Sequence, residues 1–536
     1  MNKKKELKRL YTEFYDLNRS YWDLPDLDTH DNILVYLPRY FVLPTINLLL
    51  FAKRLQEMAP CNIKVGYFRK IEWGKKKICR SFGVSEFIHV IKPTVYAILK
   101  TLSYLPRCLA CQDGDSLLKL TVDASSDTIP VGEEIYDWII RASKNLTLKH
   151  LPVGTRLRKP ILYVYCFFSF YALLKQEKVS TFLFADCDYF GSAFTKACQV
   201  QKVRMFQVYQ GYAIRHSESS NYKTLKAGQM TYQIFKKFTS LGNYRQIVEK
   251  EIQRQFTGTR EGYMDAVAFR NKKLYRKDEL LRFYGLKDDR KCVLVASHAL
   301  SDTPHYSYNM IFRDYYDWLV NTIRILSAAD KYHVFVKEHP SSWFYGETGS
   351  IASILKELGV ENVYRIPDDL STRCLFDIMD YFVTCCGTIG IEAACFGIPV
   401  VTAAKGYYYG YGLDYNCSDY ESYKSCLENL EQLRKRPEIT ERAKIILSIF
   451  SHNDHGWNEF RSRFIPDRTG FSYLDYLNDD YRILKIMNGN LRANNPKDEY
   501  YESLLDNIFV VDNGCCPDRL SNSVDTPLQN ILQGTE

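Results

Sequence analysis

The sequence lacks an uninterrupted apolar run of the roughly 18–20 residues that a membrane-spanning helix needs. The nearest stretch, residues 33–52, is broken by Arg39, two prolines and Asn47, and is typical of a strand, a turn and a buried helix. A second stretch, residues 161–174, is shorter and ends at Lys175. The N-terminal lysines lead into a helical pattern rather than an apolar segment, which is not a secretory signal pattern. We therefore expect a soluble protein in the cytoplasm, or one lying peripherally on the cytoplasmic face of the membrane.

The cysteines lack the spaced pairs of a zinc site or a disulfide framework, although there are 16 of them. One CxxC is present, at Cys108 and Cys111, but no second CxxC or histidine pair follows at a useful spacing. A tetrahedral zinc site needs four ligands. Many other cysteines lie inside apolar runs, where cysteine acts as a small hydrophobic residue. We expect reduced thiols and no bound metal.

Charge of one sign is not strongly in excess, since 71 Lys and Arg face 63 Asp and Glu, a formal net charge of +8. No basic stripe with interleaved aromatic residues is visible, which argues against nucleic-acid binding. A small basic cluster in residues 3–9 is typical of a solvated helix face, with weak attraction to an anionic membrane as the alternative. Tyrosine (41) and phenylalanine (30) are common, which suits either sugar stacking or core packing.

A chain of 536 residues is too long for one ordinary core and favours two or more domains. From Asn32 short apolar runs alternate with helical patterns, and the alternation resumes after a charged stretch, residues 244–290, that is suited to connecting two domains. Such alternation predicts βαβ units with parallel sheets, in which ligands bind at the carboxyl ends of strands. The predicted division is a helical extension (1–30), two α/β domains (31–265 and 266–470), and a helical segment with a flexible tail (471–536).

A strand, a tight turn and a helix are predicted where DYFVTCC leads into GTIGIEAACFG. A helix beginning at Thr388 would offer free backbone N–H groups, and Gly387 would let a phosphate approach closely, as in a phosphate cradle. Glu392, about one turn further on, could accept hydrogen bonds from a ribose. The alternative that spacing leaves open is an ordinary strand–turn–helix unit with Glu392 on a solvated face. Cys385 and Cys386 point to opposite faces of the strand, which argues against a metal or redox pair.

Polar side chains also follow the predicted strand YHVFVKEHP. Lys337, His339 and Ser341 stand at its carboxyl end, and Pro340 stops the strand. An imidazole beside hydroxyl groups suits a phosphate or a leaving-group oxygen. The alternative is a histidine satisfied within its loop, but the position before the Gly-Thr turn favours a functional role.

The loop after the predicted strand KCVLVA is crowded with polar groups, His298, Ser301, Asp302 and His305. Two histidines and a carboxylate could bind a metal, but their irregular spacing favours a polar loop or a contact with substrate.

Two strand ends in the first half of the chain are polar as well. They offer Asp186, Asp188, Gln210, Gly211, His216 and Glu218. Deprotonating an acceptor hydroxyl requires a carboxylate or a histidine, which makes Asp186, Asp188, His216 and Glu218 the candidates for a catalytic base. For each of them, a turn-forming or solvated role is the alternative.

The ordered motifs HAxSDxPH, VKEHP and GTxGxEAxxxGIPVV resemble bacterial capsule and surface-polysaccharide biosynthesis proteins of the GT-B glycosyltransferase type, a group that includes the capsular Kdo transferases with a His-Pro motif. The resemblance covers residues 290–405, and the first half of the chain only by architecture and a YQG strand end. It implies an α/β, GT-B-like fold with two doubly wound Rossmann-type domains facing across a cleft. It also implies that His339 contacts the donor phosphate, that Gly387 and Thr388 bind phosphate, and that Glu392 holds the ribose.

The resemblance implies a glycosyltransferase that moves a sugar from a nucleotide-activated donor, CMP-Kdo-like or another, to a surface polysaccharide or lipid-linked glycan. Such enzymes typically need no metal, so the nucleotide sugar is expected as a substrate and no cofactor is expected. Expected partners are the glycan acceptor and, peripherally, the inner membrane and export machinery. Three alternatives stay open: a GT-B-fold nucleotide-sugar epimerase, a CDP-polyol phosphotransferase, and a non-catalytic subunit of a polysaccharide assembly complex. The paired cysteines before Gly387 and the aromatic run Tyr407–Tyr411 depart from the family pattern.

Overall fold

A computed structural model describes most of the chain. The described residues are 3–19, 21–22, 31–37, 42–186, 189–208, 212–216, 232–259, 268–287, 289–305, 310–451, 473–494, 498–505 and 509–512. Four predicted site residues, Asp188, Gln210, Gly211 and Glu218, lie outside these ranges, so their roles stay predictions. The chain folds into two compact units. Unit 1 is drawn from residues 1–138, 150–227 and 453–514, and unit 2 mainly from residues 139–149 and 228–452.

The first part of the chain alternates helices with short strands. Its helices are α1 (Lys3–Arg19), α2 (Val42–Met58), α3 (Trp73–Ser81), α4 (Val95–Ser103), α5 (Leu105–Ala110), α6 (Gly114–Leu118), α7 (Gly132–Ser143), α8 (Val153–Gln176) and α9 (Ser192–Val200). Its strands are β1 (Asn32–Tyr36), β2 (Asn62–Tyr67), β3 (Glu86–His89), β4 (Thr121–Ala124), β5 (Asp127–Pro130), β6 (Val179–Phe184), β7 (Arg204–Val208) and β8 (Tyr212–His216).

The alternation continues in the second part of the chain. The strands there are β9 (Cys292–Ala296), β10 (His333–Lys337), β11 (Val363–Arg365), β12 (Tyr381–Thr384), β13 (Val400–Thr402), β14 (Tyr415–Asn416) and β15 (Phe509–Asp512). The helices are α10 (Tyr232–Thr239), α11 (Tyr244–Thr257), α12 (Lys277–Phe283), α13 (Tyr315–Ala329), α14 (Ser342–Tyr345), α15 (Ser350–Leu358), α16 (Thr372–Ile378), α17 (Thr388–Ala394), α18 (Tyr420–Glu428), α19 (Thr440–Ser451), α20 (Tyr473–Ala493) and α21 (Asp498–Leu505).

The sheet of unit 2 has the order β11-β10-β9-β12-β13-β14, with every pair parallel. In order of appearance this is 3-2-1-4-5-6, the doubly wound dinucleotide-binding order, whose switch point lies between its first and fourth strands. Here those strands are β9 and β12. All residues of β9, β10 and β12 are buried, as expected for a parallel sheet covered on both faces.

The sheet of unit 1 has the order β15-β8-β7-β6-β1-β2-β3. Strands β3, β2, β1, β6 and β7 are parallel and repeat the 3-2-1-4-5 arrangement, with a switch point between β1 and β6. Strand β8 runs antiparallel to β7, and β15 is parallel to β8. The predicted α/β class with two doubly wound sheets is confirmed, and the antiparallel edge of unit 1 is an addition to it.

The C-terminal helices close the core of unit 1. Helix α20 packs on α1, and its buried Asp480 accepts hydrogen bonds from the Tyr11 hydroxyl and from the backbone N–H of Val42, each at 2.9 Å. Ile483, Leu484 and other residues of α20 share one apolar core with α1, α2 and α3. The sequence division placed residues 1–30 and 471–536 outside the α/β domains, and the structure differs for α1, α20 and α21, because their apolar residues are part of this core.

The charged stretch after residue 244 belongs to unit 2 rather than connecting two domains. Helix α11 packs on α19 through apolar residues that include Val248 and Ile252. The described helices α10 and α11 therefore belong to unit 2, although the predicted boundary at 265–266 placed them in the first α/β domain.

One helix among the described residues, α8, is long and apolar enough to cross a membrane by length and composition alone. In its most apolar window 61% of the residues are buried inside the protein, and core helices pass the same test. Phe167, Phe168 and Phe170 in its second half are fully buried. The sequence analysis considered only the apolar stretch 161–174, which is shorter than α8 because the helix already begins at Val153.

Candidate functional site

The switch point of unit 2 brings the loop after β9 onto the turn after β12. His298, two residues beyond β9, accepts a hydrogen bond at Nε2 from the backbone N–H of Cys386 at 3.2 Å. Its ring stacks on Tyr315 with 4.1 Å between ring centroids. Because Nε2 accepts, the proton of the neutral ring is assigned to Nδ1. His298, predicted as a substrate contact, thus also holds the Gly-Thr turn in place.

Both glycines of the GTIG turn are required by close neighbours. A Cβ on Gly387 would lie 2.9 Å from the Thr384 hydroxyl oxygen, and one on Gly390 would lie 2.3 Å from the Tyr408 hydroxyl oxygen. These same neighbours hold the turn, since Gly387 N–H donates to Thr384 Oγ1 at 3.2 Å and Tyr408 donates to the Gly387 carbonyl at 3.1 Å. Tyr408 is fully buried. The aromatic run that departs from the family pattern therefore supplies one of the supports of the turn.

Glu392 lies on the buried face of α17, which is turned toward α11. Its side chain is buried, and Oε1 accepts a hydrogen bond from Gln255 Nε2 of α11 at 2.7 Å. The solvated-face alternative for Glu392 is therefore wrong, while its predicted contact with a ribose stays a prediction. Thr388 is exposed at the start of α17. This helix has only seven residues, so the case for a phosphate here rests on the shape of the turn rather than on a long helix dipole.

His339 follows β10 in a neutral form fixed by its surroundings. The backbone N–H of Ser341 donates to His339 Nδ1 at 3.2 Å, which leaves the ring proton on Nε2. Burial, and then the neighbouring His298 and Lys337, lower the pKa of His339 to about 3. A neutral imidazole therefore offers an Nε2–H donor at physiological pH. Ser341 itself is buried, and its backbone, rather than its predicted hydroxyl, makes the described contact.

Lys337, the last residue of β10, is a buried cation. Only 7% of its surface is exposed, and it has no carboxylate within ion-pair distance among the described residues. Burial, followed by the positive charge of Lys272, lowers the pKa of Lys337 to about 8. Arg365 is also near and is held by Glu338 at 3.3 Å and Asp368 at 2.6 Å. A bound anion would stabilise the charged form of Lys337.

The backbone of the predicted substrate loop after β9 is hydrogen-bonded to Glu347. This buried carboxylate accepts hydrogen bonds from the backbone N–H groups of Leu300 at 2.7 Å and Ser301 at 2.8 Å, and burial raises its pKa. Asp302 accepts from the Tyr345 hydroxyl at 2.6 Å.

Two residues of this loop are buried, while their predicted contact with substrate stays a prediction. Ser301 is fully buried and His305 is 6% exposed, so neither of them presents a side chain to solvent. For Ser301 the physical reason is its own backbone and hydroxyl hydrogen bonds to Glu347. In the described part of the chain, no three His, Cys, Asp or Glu side chains are grouped so as to hold a metal ion.

In unit 1 the structure separates the predicted bases. Asp186 is an exposed residue just beyond β6, at the switch point, where partial loss of solvent raises the pKa of its carboxyl group. His216 ends β8, which is antiparallel, so it pairs with Met205 near the amino end of β7. Met205 in turn pairs with Phe182 of β6. Phe182 precedes Asp186 by four residues, so the two lie about 13 Å apart along the strand direction. His216 is buried, and its position does not support a shared role with Asp186.

Sequence reasoning missed the residues that support the turn and loops. These are Gln255, Tyr315, Tyr345, Glu347 and Tyr408. Only Tyr408 lay in a stretch already noted as unusual, and a carboxylate such as Glu347 carries no motif that distinguishes it from a surface residue. Their partners are between 17 and 137 residues away along the chain.

Comparison with known proteins gives one family and several distant structures. Residues 313–433 match the family described as capsule polysaccharide biosynthesis protein. No curated protein sequence matches the chain significantly.

Three solved structures illustrate the similarity. A UDP-GlcNAc 2-epimerase from Neisseria meningitidis has 12% identity and a TM-score of 0.21, over 78% of this chain and 99% of that one. The KpsC beta Kdo 2,4 transferase of Thermosulfurimonas dismutans has 13% identity and a TM-score of 0.28, over 57% and 88%. A glycosyltransferase from Rickettsia africae has 10% identity and a TM-score of 0.26, over 85% and 98%. Values this low carry no inference about the reaction.

The family match has a defined place in the fold. It runs from just before α13, through β10 and the His-Pro motif, to the Gly-Thr turn and the end of α18. The resemblance of this chain to capsule polysaccharide biosynthesis proteins is thereby confirmed over residues 313–433.

Proposed function

We propose that this protein is a glycosyltransferase of capsule or surface-polysaccharide synthesis that binds its nucleotide-activated donor at the switch point of unit 2. The observation that carries the proposal is the Gly-Thr turn, held by His298 and Tyr408 at the point where a doubly wound sheet binds its ligand. The family match over the same segment supports it.

The donor phosphate would meet two complementary groups. Lys337 supplies a positive charge that the protein itself leaves without a carboxylate partner among the described residues, and His339 supplies a neutral Nε2–H donor. Fixed donors and charges of this kind stabilise a leaving nucleotide without reorganising during the reaction. We therefore propose a metal-independent transfer with no cofactor, in which Thr388 adds a hydroxyl donor and Glu392 binds the ribose.

Asp186 is our candidate for the base that deprotonates the acceptor hydroxyl. It occupies the switch point of unit 1, and its raised pKa moves it toward the range in which a carboxylate accepts a proton efficiently. Asp188 and Glu218 remain further candidates, outside the described residues. The acceptor would be a surface polysaccharide or a lipid-linked glycan, and the protein would act in the cytoplasm or on the cytoplasmic face of the membrane.

A thermal-shift panel with CMP, CDP, UDP and GDP tests donor binding. At a ligand concentration of 100 times Kd, binding stabilises the folded protein by about 2.7 kcal/mol, so the correct nucleotide should raise Tm clearly. Lys337→Met keeps the length of the side chain, removes the charge, and should abolish the shift without lowering the Tm of the free protein. Lys53→Met, at a lysine buried in unit 1, is the matched control and should keep the shift. If no nucleotide raises Tm, the proposal is wrong.

The acceptor requirement distinguishes the reaction classes. A transferase should release nucleotide from the donor sugar only when an acceptor glycan is present, whereas an epimerase would convert the free nucleotide sugar alone. A CDP-polyol phosphotransferase would consume only a CDP-polyol. Unchanged glycan production by a His339→Ala variant that no longer binds nucleotide would indicate a non-catalytic subunit.

A further inference from the structure

Helix α4 carries its large apolar side chains on the outside of unit 1. Those that are 45% to 74% exposed are Val95, Ile98, Leu99 and Leu102. The residues it buries, Ala97 and Thr101, are small, and they let the helix lie closely against α8. Single exposed apolar residues are normal on proteins, but a contiguous exposed group of them marks an interaction site.

The first half of α8 continues this apolar surface. Val153, Leu157 and Leu162 are 54%, 42% and 38% exposed. Together the two helices line an open groove of about 430 Å³, with Ile98 and Leu102 on one side and Leu157 and Leu162 on the other. We call this surface the α4–α8 face, and define it by the exposed apolar residues of the two helices. They are Val95, Ile98, Leu99, Leu102, Val153, Leu157 and Leu162.

The chain around the α4–α8 face is basic and contains no carboxylate. Residues 91–110 and 151–176 contain no Asp or Glu. Their basic residues are Lys92, Lys100, Arg107, Arg156, Arg158, Lys159 and Lys175. The whole chain is nearly balanced, at 71 basic to 63 acidic residues, so this excess is local to the two segments that form the face.

Some of these charges remain available. Lys92 and Arg107 pair with Glu177 at 3.4 Å and Asp123 at 2.7 Å. Lys100 and Arg158 are exposed and have no carboxylate partner among the described residues. Arg158 also lines the groove itself, so positive charge stands directly beside the apolar side chains.

We propose that the α4–α8 face docks this protein on the surface of an anionic phospholipid membrane. Apolar side chains from such a face enter the boundary between headgroups and acyl chains, while Lys and Arg extend to the lipid phosphates. The negative potential of the leaflet attracts basic residues within a Debye length. The face lies on the membrane and does not span it, because the second half of α8 is part of the core of unit 1.

Charge also argues against a second copy of the chain as the occupant. In a symmetric dimer the same patch meets itself, so the basic residues of two copies would face one another across the contact. Like charges brought together in this way oppose association. The nucleotide site lies in the other unit, so the proposal stands independently of the proposed function.

Flotation of the purified full-length protein with vesicles tests the proposal. We expect it to float with vesicles of phosphatidylcholine and phosphatidylglycerol, and not with phosphatidylcholine alone. Raising the ionic strength from about 0.1 M to 1 M shortens the Debye length from about 10 Å to 3 Å and should release most of the protein. The variant V95S/L99S and the variant K100Q/R158Q should each bind at least about tenfold more weakly, since each removes one of the two contributions.

The control variant L274S/F283S makes the same kind of change at exposed apolar residues of unit 2, which are 69% and 61% exposed, and should float like the wild type. All of these substitutions are at exposed positions, so Tm and the nucleotide-induced shift should stay unchanged. The proposal is overturned if the protein floats with neither vesicle, or floats equally well with both. It is also overturned if V95S/L99S keeps full binding, or if light scattering shows a dimer that V95S/L99S dissociates.

Discussion

The two units share a strand order around their switch points but differ in what their polar side chains do there. In unit 2 the switch point itself is supported, with His298, Tyr408 and Gln255 each bonded to the Gly-Thr turn or its helix. In unit 1 the described buried polar contacts include one just after β6, where Gln207 Nε2 donates to the Ala185 carbonyl at 2.9 Å. Others join the C-terminal helices to α1 through Asp480 and Asn18. The same strand order therefore carries a turn held by hydrogen bonds in unit 2, where we propose that the donor binds, and the proposed base Asp186 in unit 1.

The difference shows that a shared fold does not assign a shared role. A turn held by hydrogen bonds before its ligand arrives loses less conformational freedom on binding. In unit 2 the turn after β12 is held in this way, by His298 and Tyr408.

The largest expected effect is on unit 1, from Asp480→Ala. This substitution leaves the Tyr11 hydroxyl and the Val42 N–H without their buried acceptor, which should lower the free energy of unfolding by about 2–6 kcal/mol. Urea unfolding measures it. Asp480→Asn keeps one acceptor oxygen and should cost less. A loss of nucleotide binding by folded Asp480→Ala protein would contradict the separation of roles.

Gly390→Ala is the corresponding change in unit 2. Its Cβ would lie 2.3 Å from the Tyr408 hydroxyl oxygen, and overpacking of this kind costs about 1–3 kcal/mol. The Tm and the affinity for nucleotide should therefore both fall. Tyr408→Phe removes the clashing oxygen, so the double variant should be more stable than the sum of the single changes predicts. If the stability changes of the two single variants simply add in the double variant, the Tyr408 hydroxyl is not what excludes a side chain at position 390.

Nucleotide affinity should depend on the charge of Lys337. Burial lowers the pKa of Lys337 to about 8 from 10.5, so the free protein loses this charge as the pH rises above 8. We expect affinity to fall by up to about tenfold per pH unit there, as measured by calorimetry, and Lys337→Met to show a weak affinity without this dependence.

The same pKa predicts a change in stability of the opposite sign. Between pH 8 and 10.5 the unfolded chain binds a proton at Lys337 that the folded chain has released, so the free energy of unfolding should rise with pH in that window. Lys337→Met should remove this rise. If the free energy of unfolding of the wild type, relative to that of Lys337→Met, falls between pH 8 and 10.5, the burial assigned to Lys337 is wrong.

The smallest expected effect is from Gln255→Leu, which removes the hydrogen bond to Glu392 but no predicted ligand contact. A hydrogen bond to a charged group contributes about 1.5–3 kcal/mol. In the variant, hydroxyl groups of the bound nucleotide would donate to the freed Glu392 carboxylate and offset part of this loss. We expect nucleotide affinity to fall several-fold. Gln253→Leu, on the exposed side of the same helix, is the control and should change nothing.

Local patterns predicted much of unit 2. The apolar runs before His298, His339 and Gly387 are the strands β9, β10 and β12, and each predicted strand end does lie at one edge of the parallel sheet. Periodicity suffices here because these strands are buried on both faces and are followed directly by amphipathic helices.

The rest depends on contacts between residues far apart in the chain. The Tyr11–Asp480 hydrogen bond joins residues 469 positions apart, and no local pattern records such a pairing. The direction of β8 was equally hidden, because a short strand has the same alternation whether it is parallel or antiparallel. The exposed apolar residues of α4 were missed since helical periodicity shows an apolar stripe but not which side of it faces the core.

Hydrogen exchange measured by mass spectrometry, with and without the nucleotide that raises Tm most, tests the central claim most directly. The account predicts slower exchange in peptides covering residues 384–395 and 337–342 when nucleotide is present, and unchanged exchange in peptides from β6 and α20. Protection confined to unit 1, or no protection in either segment of unit 2 at saturating nucleotide, would contradict it.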